Sequence, residues 1–393
     1  MRIALLLSGG VDSAVALHRL CDAGHEVHAF YLKIWLEDEL ADLGVCPWEE
    51  DLRFARAVCA ARDVPLAVVP LQRLYHDRVV RHAIAELARG RTPSPDILCN
   101  QAIKFGAFYD ALRARAEGDA APFDRVASGH YARLRHPGGA PGDGLDGNSA
   151  VDAAGDAARV ELWRGVDPVK DQTYFLVQLA PDQLARCCFP LGDSHKAAVR
   201  AEARARGLPN RDRPDSQGIC FLGKIPYDAF VDHHLGQRPG PIRDIDDGRT
   251  LGTHRGLWFH TIGQRRGLGL GGGPWYVVDK SVDDDVLWVV HGDRLTPRRR
   301  DRFVVDAPRW LGASPAPDDA ASGDAACRLT VKVRHTASPA PCRITVDASG
   351  AVNAQLDVPD AGLASGQMAV FYDGARCVGG GVLRVASLTS DRA

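Results

Sequence analysis

The chain has 393 residues, of which 45% are hydrophobic and 25% are charged, and its formal net charge is −2. This length is too great for one ordinary core and predicts two or three domains, whereas the near-neutral charge excludes binding to nucleic acid through a global basic field. The longest apolar runs fall well short of a membrane span, so we expect no contact with a membrane.

Cysteine and histidine spacing gives little sign of a metal site. None of the ten cysteines forms a C-x-x-C pair, so structural zinc is not predicted, and no catalytic metal site is proposed from the fourteen histidines. A long chain that begins directly in a predicted strand is typical of an intracellular protein with mostly free thiols. We expect a cytoplasmic location, and the alternative is a plastid or mitochondrion after removal of a transit peptide.

Strands and helices alternate in the first part of the chain. The runs IALLL, EVHAFYLKIW, PLAVVPL and FDRVASGHYARL are predicted strands, and VDSAVALHRLCDAG and EEDLRFARAVCAAR are predicted helices. This alternation predicts an α/β domain over residues 1–206, built on a doubly wound parallel sheet. A stretch at about 137–158 is rich in Gly, Ala and Asp without periodicity, and we expect a disordered insertion between two strands of a hairpin.

The pattern changes from residue 207 to short β-type runs separated by Gly and Pro. WYVVDKSVDDDVLWVVHG and its neighbours predict a small β-rich central domain over residues 207–292. Further strands follow in CRLTVKVRHT, CRITVDASGAVNAQLDV and GQMAVFYDGARCVGGGVL. Their spacing predicts a closed antiparallel β-barrel over residues 293–393.

The first predicted strand ends in a glycine-rich turn, SGGVDS, that leads into a helix. Gly9 and Gly10 have no side chain to keep an anion from the backbone N–H groups, and Ser8 and Ser13 add hydroxyl donors. The spacing is neither that of a Walker loop nor G-x-G-x-x-G, and Ser-Gly-Gly alone would also suit a plain strand–helix turn. The hexapeptide resembles the pyrophosphate loop of the ATP pyrophosphatases. That resemblance implies ATP as co-substrate with Mg²⁺, and it places Asp12 near the phosphates.

Two cysteines lie in polar surroundings. In GRTPSPDILCNQAIKFG two prolines precede Asp96 and Cys99, Lys104 follows, and CNQAIKFGAF is a predicted helix start. A thiol near a helix N-terminus and a lysine is biased toward the thiolate, although a buried cysteine at a loop–helix junction is an equally good interpretation. Cys220, in RPDSQGICFLGK, is the weaker signal, because it could also begin a core strand.

Seven segments occur in a fixed order: SGGVDS, GRTPSPDILCNQAIKFG, ASGHYARL, KDQTYFL, DSQGICFLG, HTIGQRRGLGLGGGPWYVV and GQMAVFYDGARCVGGG. Together they resemble the tRNA-specific 2-thiouridylases from residue 1 to about 385, apart from the 137–158 insertion. The resemblance implies an adenylating N-terminal domain of the adenine nucleotide alpha-hydrolase type, a small central domain and a C-terminal barrel that contacts tRNA. The implied reaction adenylates the 2-oxygen of the wobble uridine with ATP. Sulfur from a protein persulfide then replaces that oxygen, which yields 2-thiouridine, AMP and pyrophosphate.

The resemblance also implies roles for individual residues. Cys220 is implied to carry the persulfide, Cys99 to attack it or resolve it as a transient Cys99–Cys220 disulfide, and Asp96 to contact the target base. The implied ATP-site residues are Leu6, Leu7, Ser8, Gly9, Gly10, Val11, Asp12, Ser13, Leu32 and Gly129. The implied tRNA contacts are Ser94, Pro95, His130, Lys170, Asp171, Gln172, Arg334, His335 and Gln367. The implied partners are the anticodon stem-loop of tRNA and a sulfur-donor or sulfur-relay protein.

Two positions depart from the family pattern, which usually has Asn at the position of Ser94 and Tyr at that of His335.

Two alternative functions also stay open. Another ATP pyrophosphatase, such as an amidotransferase-type or argininosuccinate-type synthetase, would lack the PDILCN and SQGICF segments. A non-enzymatic tRNA-binding or sulfur-carrier protein would not need an intact loop together with both cysteines. The arginines at 265, 266 and 298–300 could hold phosphates or form a solvated face.

Overall fold

The structure is a computed structural model that describes residues 1–34, 48–116, 121–135, 160–215, 225–315, 326–335 and 338–389. Cys220 and the predicted insertion at 137–158 lie outside the described residues. No helix among the described residues has the length and apolar character needed to cross a membrane.

A five-stranded parallel sheet forms the core of the N-terminal domain, which confirms the predicted doubly wound fold. Its strand order is β3-β2-β1-β4-β7, with β1 in the centre and paired in parallel to β2 and β4. The N-terminal strands are β1 (Arg2–Leu6), β2 (Glu26–Lys33), β3 (Leu66–Pro70), β4 (Arg125–Ser128), β5 (Ala132–Arg135), β6 (Glu161–Arg164) and β7 (Cys187–Cys188). Because β1 is covered on both faces, four of its five residues are buried.

The helices are α1 (Val11–Asp22), α2 (Trp48–Ala60), α3 (Gln72–Tyr75), α4 (Arg81–Ala88), α5 (Pro95–Cys99), α6 (Phe108–Ala116), α7 (Pro181–Ala185), α8 (Lys196–Ala205) and α9 (Tyr227–Leu235). The predicted helix after β1 is confirmed as α1. A π-helical segment, Asn100–Ala107, joins α5 to α6 without a break. The prediction that a helix starts at Cys99 is therefore wrong. The helix starts at Pro95, which suits the first helical position because its missing N–H needs no partner there.

FDRVASGHYARL was predicted as a single strand, but it forms two strands in different sheets. β4 belongs to the parallel sheet, whereas β5 pairs antiparallel with β6. The predicted hairpin around the insertion is thus confirmed. The chain leaves the parallel sheet at Gly129, where it passes close to the start of α1.

The middle of the chain forms a four-stranded sheet, as predicted for a small β-rich domain. Its strands are β8 (Gly240–Asp244), β9 (Thr250–His254), β10 (Trp275–Ser281) and β11 (Val286–His291). The order is β10-β11-β8-β9, in which β8 and β11 are parallel and the other two pairs are antiparallel. Buried side chains of Ile242, Val277, Leu287 and Val289 form its core.

The predicted antiparallel barrel is confirmed in the C-terminal part. Its strands are β12 (Arg300–Val305), β13 (Arg309–Trp310), β14 (Cys327–Lys332), β15 (Ala340–Val346), β16 (Val352–Asp360), β17 (Met368–Asp373) and β18 (Arg376–Arg384). Six strands follow the order β12-β16-β15-β14-β17-β18, and pairing of β12 with β18 closes the barrel. The start of β18 also pairs with β6, so the hairpin of the N-terminal domain extends the barrel sheet.

Candidate functional site

The turn between β1 and α1, together with the start of α1 (residues 8–13, the nucleotide turn), is the predicted anion site. Gly9 has a φ of 75°, and a Cβ there would overlap the carbonyl oxygen of Asp51, so both conformation and space require glycine. Gly10 is the N-cap residue of α1 and makes no side-chain capping bond. The Ser13 hydroxyl donates to the Gly10 carbonyl at 3.1 Å and accepts from the Ser8 N–H at 3.3 Å. The helix start is therefore not capped by a side chain, and binding of a phosphate there stays a prediction.

Two residues that the sequence analysis missed hold the outer side of this turn. The Asn210 amide and the Arg213 guanidinium both donate to the Gly9 carbonyl, at 2.9 and 3.2 Å. Arg213 also forms an ion pair with Asp51 on α2. Asn210 is only 1% exposed. These contacts fix the orientation of the Gly9 peptide.

Asp12 lies at the centre of a charge network. Lys196 Nζ contacts both carboxylate oxygens of Asp12, at 2.6 and 2.8 Å, and the Tyr131 hydroxyl donates to Oδ1 at 2.9 Å. Lys196 Nζ also lies 2.8 Å from Asp215 Oδ1. The sequence contains one indication of this role. Lys196 is the first residue of a helix, where a positive charge is unfavourable because the helix dipole is positive at that end, so its side chain needs another stabilising partner.

Asp215 forms ion pairs with further cationic side chains. Its carboxylate lies 2.6 Å from Lys170 and 2.5 Å from Arg200, in addition to Lys196. Although burial alone would raise the pKa of Asp215, hydrogen bonds from Lys170 and Lys196 hold that pKa well below its usual range. The structure thus brings Lys170, a predicted tRNA contact, to the nucleotide turn. Its contact with tRNA stays a prediction.

The segment after β4 links the nucleotide turn to the Cys99 helix. A Cβ at Gly129 would lie 2.9 Å from the Ser13 backbone nitrogen, so this position packs directly on α1. The ring of the next residue, His130, lies 6.2 Å from that of Phe105 in the π-helical segment. Burial and the charge of Lys104 lower the pKa of His130 to about 3, so the imidazole is neutral at physiological pH. Although the nucleotide turn and the helical segment that follows Cys99 are far apart in sequence, they therefore meet at residues 128–131.

Cys99 is the last residue of α5 and is 1% exposed. It is the fifth residue of its helix, so the helix dipole favours the thiolate less than it would at a helix start. The amide of Asn100 donates to the Asp96 carbonyl at 3.0 Å and braces this turn. The described residues place Cys99 inside the protein, while Cys220 lies outside them, so pairing of the two stays a prediction.

Three domains meet at the loop before α5. Lys280 Nζ of the central domain donates to the Gly90 carbonyl at 3.2 Å, and the Thr92 N–H donates to the Ser365 carbonyl of the barrel at 2.9 Å. Ser94 hydrogen-bonds Tyr174, whose hydroxyl donates to the Met368 carbonyl at 3.1 Å. This loop leads through Pro95 and Asp96 to Cys99. Contacts from all three domains thus position the candidate cysteine.

Other predicted tRNA contacts take part in intramolecular bonds. The Asp171 carboxylate is fully buried and lies 3.0 Å from Arg164 Nε and 3.4 Å from Lys332 Nζ of the barrel. Gln172 accepts a hydrogen bond from the Tyr131 N–H at 2.9 Å. These bonds join the turn at 170–172 to both the nucleotide turn and the barrel. Direct contact of either side chain with tRNA stays a prediction.

The barrel contributes three predicted tRNA contacts. Arg334 lies 2.5 Å from Asp360. The ring of His335 lies 5.6 Å from that of Phe175, and partial burial lowers the pKa of His335 although the Asp96 charge opposes this. Gln367 Oε1 is buried and has no hydrogen-bond partner among the described residues. His335 is therefore near Asp96, the predicted base contact, whereas Gln367 adjoins the three-domain junction at Ser365.

The remaining predicted ATP-site residues line the same edge of the sheet. Leu6, Leu7 and Val11 are buried, and Leu32 is partly buried. Two arginines of the RRR segment form ion pairs. Arg298 pairs with Asp246 at 2.5 Å, and Arg300 pairs with Asp279 at 3.6 Å. These pairs join the central domain to the barrel. No cluster of three or more metal-ligating side chains is found in the described ranges.

The chain matches known families along most of its length. Residues 1–224 match the model described as tRNA methyl transferase HUP domain, residues 228–291 the tRNA methyl transferase PRC-barrel domain, and residues 300–383 the aminomethyltransferase beta-barrel domain. The tRNA-specific 2-thiouridylase MnmA of Halorhodospira halophila is 42% identical over 98% of this chain and 94% of its own length. MnmA 1 of Bacteroides thetaiotaomicron is 38% identical over 97% of this chain and 99% of its own.

Proposed function

This chain belongs to the tRNA-specific 2-thiouridylase family, and we propose that it replaces the 2-oxygen of the wobble uridine in tRNA with sulfur. The observation that carries the proposal is the meeting of the nucleotide turn and the Cys99 helix at residues 128–131. Activation by ATP and attack by a sulfur nucleophile need such proximity, because the first step acts on the 2-oxygen of the base and the second on the carbon bonded to it.

The first step is activation of the base. The uridine 2-oxygen attacks the α-phosphorus of ATP, the bond to the β-phosphate breaks, and pyrophosphate leaves. The uncapped start of α1 suits the leaving pyrophosphate, because its N–H groups and dipole favour negative charge. The 2-oxygen, a poor leaving group as a carbonyl, becomes part of AMP.

Mg²⁺ is the metal that suits this step, and Asp12 is the residue beside the turn that would bind it. Mg²⁺ in such sites takes one or two carboxylates and otherwise substrate phosphates and water, which fits the part of the chain that the structure describes, where no cluster of metal-ligating side chains is found. Oδ1 of Asp12 accepts from both Lys196 and Tyr131, whereas Oδ2 has a second lone pair beyond its contact with Lys196. When bound, the metal supplies charge neutralisation for the phosphates.

The second step is sulfur transfer. The terminal sulfur of a Cys220 persulfide attacks the activated C2, and AMP leaves with the former 2-oxygen. The Cys99 thiolate then attacks Cys220 Sγ, forming the Cys99–Cys220 disulfide and releasing 2-thiouridine. In the alternative order, Cys99 attacks first and releases hydrosulfide, which adds to C2. Both orders require a sulfur donor to charge Cys220 and a thiol reductant to reopen the disulfide.

Analysis of nucleosides tests this function. The protein is incubated with ATP, Mg²⁺, sulfide or a persulfide donor, a thiol reductant and unmodified tRNA, and the digested tRNA is examined by mass spectrometry. We expect 2-thiouridine together with AMP. Absence of 2-thiouridine under every sulfur supply would refute the proposal.

A further inference from the structure

We propose that Lys196 is a positioning residue for ATP activation, which orients the Asp12 carboxylate and is itself held in place by Asp215. The inference rests on the proposed function and adds a residue that the sequence analysis did not single out. Lys196 Nζ lies 2.6 and 2.8 Å from the two oxygens of Asp12 and 2.8 Å from Asp215 Oδ1. The Lys196 side chain is 11% exposed, so water competes little for its ammonium group.

The position of Lys196 in its helix indicates a specific role. It is the first residue of α8, where a positive charge is unfavourable because the helix dipole is positive at that end. Its N–H donates to Asp167 Oδ2 at 2.9 Å, which caps the helix without using the side chain. The side chain is therefore free to bridge two carboxylates, and these outweigh the dipole.

The two carboxylates do not depend on Lys196 equally. Asp215 has two other cationic partners, Lys170 at 2.6 Å and Arg200 at 2.5 Å. Among the described residues, Asp12 keeps only the Tyr131 hydroxyl when Lys196 is removed. Loss of Lys196 therefore affects mainly Asp12, which then turns away from Asp215 because two carboxylates repel each other. Its oxygens then no longer face the nucleotide in one fixed orientation.

The test measures AMP formation with tRNA and Mg²⁺-ATP, together with KM for ATP, tRNA affinity and melting temperature. Lys196→Met should lower kcat for AMP formation on the order of 100-fold, as for other misplaced catalytic groups. tRNA affinity should stay unchanged. Lys196→Arg should recover much of the rate, because a guanidinium can also bridge two carboxylates.

Two variants on the same helix serve as comparisons. Arg200→Met removes a cation from Asp215 but none from Asp12, so its loss of AMP formation should be much smaller than that of Lys196→Met. Arg204, whose side chain is 63% exposed, lies outside the network, and Arg204→Met should behave as the wild type. A loss in Arg200→Met equal to that in Lys196→Met would overturn the proposal, because Asp12 keeps its contact with Lys196 in the Arg200→Met protein.

The double variant Lys196→Met/Asp215→Asn is a control for misfolding of Lys196→Met, which leaves a negative charge unbalanced. It removes one positive and one negative charge, and it should fold while still forming AMP slowly, since Asp12 stays unsupported. AMP formation at the wild-type rate in this variant or in Lys196→Met would overturn the inference. A wild-type protein that forms no AMP would instead refute the proposed function.

Discussion

Substitution of Gly129 by alanine tests the contact between the end of β4 and the start of α1. The added Cβ would lie 2.9 Å from the Ser13 nitrogen and 3.0 Å from the Asp12 carbonyl carbon. Both are backbone atoms, so no flexible side chain can move aside. Ordinary contact begins near 3.4 Å, so the backbone at Ser13 must shift by about 0.5 Å, the difference between the two distances.

This shift acts on the residues proposed to bind the phosphates. Forcing a methyl group into such a packed site costs about 1–3 kcal/mol of stability. A displacement of about 1 Å can lower a rate by about 100-fold, so half that displacement should lower AMP formation by roughly tenfold. tRNA affinity should change much less, because the change affects the nucleotide turn alone.

The assay compares single-turnover AMP formation, tRNA binding and melting temperature. Gly312→Ala is the matched control, since no heavy atom lies within 4 Å of a Cβ there and its φ is not positive. Wild-type AMP formation by a folded Gly129→Ala protein would refute the reasoning, because the turn would then tolerate the shift. Equal losses in both variants would refute it as well.

Three further predictions follow from the site and the domain junctions. Cys99→Ala and Cys220→Ala should each abolish 2-thiouridine formation, measured by mass spectrometry, while tRNA binding persists in gel-shift assays. Asp171→Asn should lower the unfolding free energy by about 3–5 kcal/mol in urea titrations, because it leaves the buried charge of Lys332 uncompensated. Burial, with the charges of nearby His254, Lys280 and Arg255, lowers the pKa of His260 to about 4. Because the unfolded chain binds this proton more tightly, stability should fall as pH drops from about 6.5 toward 4, and His260→Phe should flatten that slope in pH-dependent denaturation.

The junction around the Cys99 loop gives the domain arrangement a functional meaning. Gly90 and Thr92 are held by the central domain and the barrel, respectively, and Ser94 by Tyr174. The hairpin β5–β6 meanwhile joins the barrel sheet through β18. A tRNA held by the barrel would therefore have a defined position relative to Cys99. A mutation far from the cysteine, at Lys280, is expected to affect sulfur transfer through this loop, because the Lys280 side chain holds Gly90.

The sequence alone determined the local elements and the chemistry of the nucleotide turn. Apolar runs of strand length identified β1 to β3, and alternation with helices identified the parallel sheet, since both depend on residues close together in the chain. SGGVDS was recognised for the same reason, because Gly9 and the start of α1 follow one another directly. The ordered motifs added the family and, through it, Cys99 and Cys220.

Only the tertiary structure decided which distant residues support that turn. Lys196 reaches Asp12 across 184 positions of the chain, and Asn210 reaches Gly9 across 201. Periodicity carries no information about such pairs, because each residue's own neighbours are compatible with many partners. The split of FDRVASGHYARL between two sheets was hidden for a similar reason, as both halves have strand-like patterns. What separates them is the close packing of Gly129 on α1, which exists only once the sheet has formed.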